Sequence, residues 1–450
     1  MNNLNLYKSK YRDNMVNENY VGRVVRVKNV RKHPNADRLQ LANCFINTII
    51  IDLNVKEGDL GVYFPSGCKL GKEFCEVNNL LRLKDENGNN IGGYLDEKKR
   101  NVKALKLRGV ISDGIFLPLQ SLSTFTNIHR LKENDTISVL NGFVISEKYI
   151  PINSKTPRLD PAIKIAKQKE WPCFFEHKDT PQLAYNLQKF NENDECVILL
   201  KMHGCSGRSS HTIHMPYVKE SLFTKIKQYF FPFKHIEYGF VCGSKTIIID
   251  DFNKNDGYYG TEEFRRAHHE KIIQILPKNF TIYYEIVGYI SPNRPIMPDC
   301  DNAALNDSEF IKIYGNKTKF SYNCNEDAGE SDIYVYRITV SNEDGFNIDL
   351  HWDMVKELCN MWNLKHVPEL DRFKFTTIED LLERVEQYVS GSDPIGRTHW
   401  REGIVVRIIN KFGFKVYKEK NDIFKLMEEN ALDLISSSKI EVNETLIDEV

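Results

Sequence analysis

From Tyr20 the chain reads YVGRVVRVKNV, with apolar and polar positions alternating at the period of two that a half-buried strand requires. The alternation returns in NTIIIDLNV (47–55), GDLGVYFPSG (58–67) and ALKLRGVISDGIFLPL (104–119), with turn residues between them. This spacing predicts a small all-β domain that ends near residue 146, taken as residues 1–150. Pro151, Pro157 and Pro161 then stand among polar residues, which predicts a linker over 151–165.

The remainder, 166–450, mixes strand and helix patterns, so the fold class read from the chain is α+β. In TTIEDLLERVEQYVSG, residues Ile378, Leu381, Leu382, Val385 and Tyr388 recur at helical spacing, with a threonine at the N-cap and Gly391 at the C-cap. Their expected role is core. Residues 299–332 are polar and acidic with little periodicity, which predicts a surface insertion.

Composition narrows the class. Lys plus Arg total 61 against 62 for Asp plus Glu, so the formal charge is −1, and a nucleic-acid partner would have to be met by a local basic surface. The ten cysteines form no C-x-x-C pair, which argues against a zinc ribbon or a disulfide framework and for a reducing compartment, cytoplasmic or nuclear, not secreted. The opening MNNLNLYKSKYRDNM lacks the apolar stretch of a signal peptide, and no run approaches the roughly 20 apolar residues of a membrane span.

The chemistry concentrates in the second half. CVILLK reads as a buried strand ending at Lys201, followed by MHG; only a neutral amine is a nucleophile, and apolar walls with neighbouring cations favour that form. Taken alone, K-x-H-G is also what a surface lysine before a turn looks like. FTIYYEIVGY and HWREGIVVRI place Glu285 and Glu402 inside apolar strands, where carboxylates are rare unless paired or close to a cation. FGFKVYKEKNDIFKL carries Lys415, Lys418 and Lys420, cations suited to phosphate if they face a cleft. His268, His269 and Glu270 in AHHEK lack the spacing of a zinc helix and are expected at the surface.

The elements stand in a fixed order: K-x-H-G, an apolar strand with Glu, SDIYVYRITV, E-G-I-V-V-R, then K-x-K. In that order they resemble the covalent nucleotidyltransferases, the superfamily of ATP-dependent ligases and RNA capping enzymes. RKHPNADRLQLANC resembles the opening of tRNA-binding OB domains, and VKALKLRGVISDGIFLPL resembles a segment of one RNA ligase family. The family is identified as the ATP-dependent RNA ligases that carry an N-terminal OB domain. The resemblance implies an OB-type β-barrel followed by a nucleotidyltransferase domain, ATP-grasp-like, of antiparallel sheets with flanking helices. DNA ligases and capping enzymes carry a trailing OB domain, for which the 30 residues after Lys420 are too few.

By the same resemblance Lys201 takes AMP from ATP, Lys418 and Lys420 contact the α-phosphate, with Lys415 as the competing register, and Glu402 holds Mg²⁺ or Mn²⁺ through its water shell. Glu285 matches the glutamate near the ribose. His203 and Gly204 complete the lysine motif, His203 standing where many ligases have Asp. Arg208 matches an arginine that reads phosphate or ribose, and Lys245, in Ser244-Lys245, corresponds to an arginine of relatives that holds the RNA 5′-phosphate. Tyr334 or Tyr336 lines the adenine pocket, Tyr334 being the chosen candidate. The implied partners are ATP and RNA ends, with a nicked duplex or a tRNA-like break as candidate substrates, no membrane, and a monomer as the expected state. The basic run Lys98, Lys99, Arg100, Lys103, Lys106, Arg108 is read evenly as an RNA track or a solvated strand edge. Another covalent nucleotidyltransferase and a non-catalytic RNA-binding relative are the alternatives.

Overall fold

The computed structural model describes residues 18–84, 86–87, 90–150, 161–177, 179–215, 237–249, 251–253 and 259–428. The opening of the chain and most of the expected linker, with Pro151 and Pro157, lie outside the described residues. The chain divides into two compact units, one of residues 1–151 with 422–434, the other of 152–421 with 435–450.

In the first unit the alternating segments form strands β1 (Gly22–Arg26), β2 (Lys28–Lys32), β3 (Leu39–Cys44), β4 (Asn47–Asp52) and β5 (Leu60–Phe64). A short helix α1 (Lys72–Val77) precedes β6 (Ala104–Leu107), β7 (Val110–Asp113), β8 (Ile115–Pro118) and β9 (Thr136–Ile137). The strands pair antiparallel as a four-stranded sheet, β8-β5-β1-β9, a three-stranded sheet, β2-β3-β4, and the hairpin β6-β7. Val24, Val62, Phe64, Leu70 and Phe74 form its core. Helical residues 422–428 belong to this unit, and Lys425 reaches from them to Asp113 at 2.9 Å.

The second unit begins with α2 (Pro161–Glu170), so the expected linker runs into a helix at Pro161, a residue whose fixed φ suits a first helical turn. Its strands are β10 (Glu195–Lys201), β11 (Cys205–His214), β12 (Glu237–Gly243) and β13 (Ile248–Ile249). After α3 (Glu263–Ile273) come β14 (Phe280–Ser291), α4 (Ser308–Tyr314), β15 (Ser331–Ser341), β16 (Asn347–Asp349) and α5 (Trp352–Met361). The unit closes with β17 (Glu369–Lys374), α6 (Ile378–Val389), β18 (Gly403–Ile408) and β19 (Val416–Lys420). Two antiparallel sheets result: β17-β10-β18-β19, and a larger one ordered β13-β12-β11-β14-β15-β16. Mixed α and β structure built on antiparallel sheets is therefore the architecture of the described residues.

Helix α6 follows its pattern. Thr377 accepts a bond from the Asp380 amide at 3.1 Å, and Leu381 and Val385 are buried, although Ile378 remains exposed. Two expectations fail. His268 and His269 are buried on α3, bonded to the hydroxyls of Ser331 and Ser209 at 2.9 Å each, and burial lowers both pKa values to about 4. They are neutral core histidines. Within 299–332, Asn302, Thr318, Phe320 and Tyr322 are buried, so this segment is not merely a surface insertion.

Candidate active site

Strand β10 is buried along Cys196–Leu200 and ends at Lys201, whose side chain emerges with 23% exposure. The ladder sets Lys201 opposite Gly403, and Gly403 opposite Lys420, so three strands meet at one end of the sheet. Lys201 Nζ lies 2.6 Å from Glu402 Oε1, and Lys420 Nζ lies 3.9 Å from the same oxygen. A Cβ at Gly403 would stand 2.2 Å from the Glu419 carbonyl oxygen, and one at Gly204 would stand 2.2 Å from that of Ile286. Both motif glycines are thus required by close backbone approach.

A cavity beside Lys201 is lined by Glu285, Lys245 and Lys418 on its polar side and by Leu199, Val367, Val405 and Phe414 on its apolar side. Burial, reinforced by the nearby Glu402 carboxylate and opposed by Lys201, raises the Glu285 pKa to about 8. The enclosed group is therefore protonated at neutral pH in the absence of a further cation. His177, also at the cavity, is held neutral by burial and by the surrounding Arg337, Lys245, Arg208 and Lys418. Lys245 forms an ion pair with Asp179.

The strand carrying Tyr334 and Tyr336 sets the two differently against the cavity. Its register with β14 shifts between Tyr283 and Tyr284, where Arg337 and Val335 are the successive partners. This bulge leaves Tyr336 out of the ladder, and Tyr336, not Tyr334, lines the cavity; bulges re-aim side chains in this way. Tyr334 is buried opposite Glu285 in the ladder. Arg208 is likewise away from the cavity lining. It is buried, donates to the carbonyls of Ser244 at 2.7 Å and Phe174 at 3.3 Å, and stacks 4.1 Å over the Phe174 ring. Its guanidinium is thus bonded within the fold, close enough to the cavity to act on His177 by its charge. Lys415 is exposed before β19, whereas Lys418 is buried at the cavity.

His203 is not a cavity-lining residue. Its Nδ1 lies 3.9 Å from Glu402 Oε2, its ring meets Phe320 edge-on at 4.5 Å, and burial with the Lys201 and Lys420 charges keeps it neutral. Sequence reasoning missed His177, Asp179, Arg407 and Phe414. The first two precede β10 in a polar run without periodicity, and Arg407 and Phe414 stand inside the E-G-I-V-V-R and FGFKVYKEK stretches, where spacing gives them no role of their own. Arg407 is buried, donates to the Tyr336 and Leu350 carbonyls, and is brought down by burial to about 10.

With this geometry in place, the comparisons decide the family. The profile of the RNA ligase family matches residues 194–427, more than half of the chain. The chain belongs to the RNA ligase family. No curated protein matches this ligase. Solved structures do: Naegleria gruberi RNA ligase with PPi has 16% identity and a TM-score of 0.56, covering 90% of this chain and 97% of that one. A lysine-to-alanine variant of the Naegleria gruberi enzyme with ATP and Mn has 15% identity and a TM-score of 0.56, covering 90% and 98%. A glutamate-to-alanine variant with AMP and Mn has 16% identity, a TM-score of 0.56 and coverage of 90% and 98%. At these identities the likeness is one of fold, and it extends across both units of this RNA ligase. Among the described residues no helix is long and apolar enough to cross a membrane.

Proposed function

We propose that this RNA ligase seals RNA 3′-OH and 5′-phosphate ends with ATP, through AMP carried on Lys201. The observation that carries the reading is the convergence of Lys201, Glu402 and Lys420 beside a cavity that also holds Glu285 and Lys418. In the first step the neutral Lys201 amine attacks the α-phosphorus of ATP, a P–N bond forms, and the bond to pyrophosphate breaks. An RNA 5′-phosphate oxygen then takes the adenylyl group and releases the lysine. Attack of the RNA 3′-OH on that 5′-phosphorus finally expels AMP.

The cavity suits the first step. Its apolar wall of Val367, Val405 and Phe414, with Tyr336, offers the flat surface an adenine needs, and Lys418 stands where phosphate charge would gather. Glu402 accepts from Lys201, which holds the long lysine stem in one place and can take up its proton before attack. Glu285 is assigned to the ribose side. Lys245, tethered by Asp179, is the candidate for the RNA 5′-phosphate.

A hard divalent cation fits the donor set. Two close carboxylates, one of them pushed up to about 8 by burial and by the other, are relieved by added positive charge. Glu402 would hold it through its water shell, and when bound it would neutralise charge on the nucleotide phosphates. Mg²⁺ and Mn²⁺ both suit oxygen donors; the Naegleria gruberi structures were obtained with Mn.

The first unit is proposed as an OB-type domain that tracks RNA, supported by antiparallel sheets of the kind such folds contain and by the exposed hairpin bearing Lys106 and Arg108. A nicked duplex or a tRNA-like break is the proposed substrate. The decisive experiment incubates the protein with α-labelled ATP and Mg²⁺ or Mn²⁺. Label should remain on the denatured wild-type chain and be absent from Lys201→Ala; no label on wild type, or full label on the variant, ends the reading.

A further inference from the structure

The segment expected to be a surface insertion instead joins the two sides of the site. Tyr322 is 2% exposed and adopts a left-handed backbone, φ +48°, which is costly for a bulky residue and marks a position held by its surroundings. Its hydroxyl accepts the backbone N–H of His203 at 2.7 Å, two residues beyond Lys201. Two residues earlier in the segment, Phe320 meets the His203 ring at 4.5 Å and the Trp400 ring at 5.6 Å. Thr318 then accepts from Trp400 Nε1 at 2.9 Å, two residues before Glu402, and donates to Asn302 Oδ1 at 3.0 Å.

These contacts close a circuit. Lys201 reaches Glu402 directly, and it reaches Glu402 again through His203, the alternately buried Tyr322, Phe320 and Thr318, and Trp400. The two ends of the 2.6 Å pair lie 201 residues apart, and near neighbours of each, the His203 amide and the Trp400 side chain, are held by a common third segment that carries no group into the cavity. A lysine stem has four rotatable bonds, so the placement of its nitrogen depends on how firmly the backbone behind it is held.

We propose that Tyr322 is a positioning residue for nucleotide transfer, its hydroxyl holding the His203 amide so that the Lys201 amine stays aligned with Glu402 and the α-phosphate. This rests on the reading of Lys201 as the residue that carries AMP. Removal of the hydroxyl leaves the ring packed on His399, 4.5 Å away, but frees the loop that ends β10.

The test compares full-length wild type with Tyr322→Phe in single-turnover transfer of label from α-labelled ATP, across ATP concentrations, and in sealing of a pre-adenylated RNA nick. The maximal rate of lysyl-nucleotide formation should fall roughly 10- to 100-fold. Half-saturating ATP should stay within about twofold, sealing of the pre-adenylated nick should fall far less, and the melting temperature should hold within a few degrees. A variant that forms the lysyl nucleotide at the wild-type rate overturns the proposal. So does an equal loss in both reactions together with a lower melting temperature, which is the mark of a merely structural role. If Tyr322→Phe does not fold, Thr318→Val cuts the tie to Trp400 from the other side and should show the same split between the two reactions. Failure of the Lys201 reading looks different: label is then absent from wild type or present on Lys201→Ala.

Discussion

Lys201 Nζ and Glu402 Oε1 stand 2.6 Å apart at one end of one sheet, joined by a ladder in which β10 and β18 are neighbours. A carboxylate 3% exposed beside an amine on a flexible stem acts chiefly by placing that amine and by accepting its proton. Glu402→Gln keeps the shape and removes the charge. Lysyl-nucleotide formation should fall about 100- to 1000-fold, the usual cost of losing one preorganised polar group at a reacting centre, while ATP still binds. Single-turnover labelling against equilibrium ATP binding separates the two.

The register of β19 distinguishes the three lysines in and just before it. Lys418 lies buried at the cavity and Lys420 faces Glu402, but Lys415 is exposed. Lys418→Ala and Lys420→Ala should each lower labelling at least about 100-fold, whereas Lys415→Ala should stay within about twofold of wild type. Loss of activity in Lys415→Ala with retention in Lys418→Ala would overturn this assignment.

The bulge in β15 makes a contrast between two tyrosines of similar sequence context. Tyr336→Ala opens the cavity wall and should raise half-saturating ATP roughly tenfold, equivalent to about 1.4 kcal/mol. Tyr334→Ala empties a buried position away from the cavity lining and should show mainly as a lower melting temperature. Titration of initial rate with ATP, beside a thermal melt, reads both.

Glu285 predicts a pH dependence of stability. Burial raises its pKa in the folded chain from 4.5 to about 8, so between those values the folded state keeps a proton that the unfolded state releases. The stability this provides is full below pH 4.5 and is lost as pH rises through about 8. In chelator, the melting temperature of Glu285→Gln should therefore gain on wild type as pH rises from 5 to 9. A constant difference across that range would contradict the shift, and added divalent cation should narrow the gap by favouring the ionised wild-type carboxylate.

In the first unit Asp113 is enclosed, and although burial opposes its charge, Lys425 and Ser66 hold its pKa below the usual carboxylate range. Asp113→Asn leaves the buried Lys425 with only the half-exposed Asp422, at 3.2 Å, as counter-charge. A loss of about 3–5 kcal/mol is expected, the range for breaking a buried pair, and Asp113→Asn combined with Lys425→Met should recover much of it. Denaturant unfolding of the single and double variants measures the coupling.

The strands were legible because alternation reports burial on one face, a property each segment carries by itself. The order from K-x-H-G to K-x-K likewise needed no coordinates, and neither did the Thr377 cap of α6. Residues that depend on another segment were hidden. His268 and His269 look solvent-exposed in a charged helix, yet Ser331 and Ser209, on two strands of the larger sheet, complete them. Arg208 follows the lysine motif closely in sequence, but its guanidinium is taken up by the carbonyls of Ser244 and Phe174. Polar composition concealed Phe320 and Tyr322, two aromatic residues in a run of charged neighbours that become core only when Trp400 and His399 close over them.

By itself, then, the amino-acid order determined where strands and helices form and which lysines and glutamates lie on apolar strands, since these follow from spacing along one segment. Only the tertiary structure decided which of those groups face one another, that a bulge turns Tyr336 toward the cavity, and that residues 318–322 tie the two motif loops together. The physical reason is range: periodicity encodes the burial of a residue among its chain neighbours, whereas a 2.6 Å contact across 201 residues is set by sheet register and by the packing that holds it.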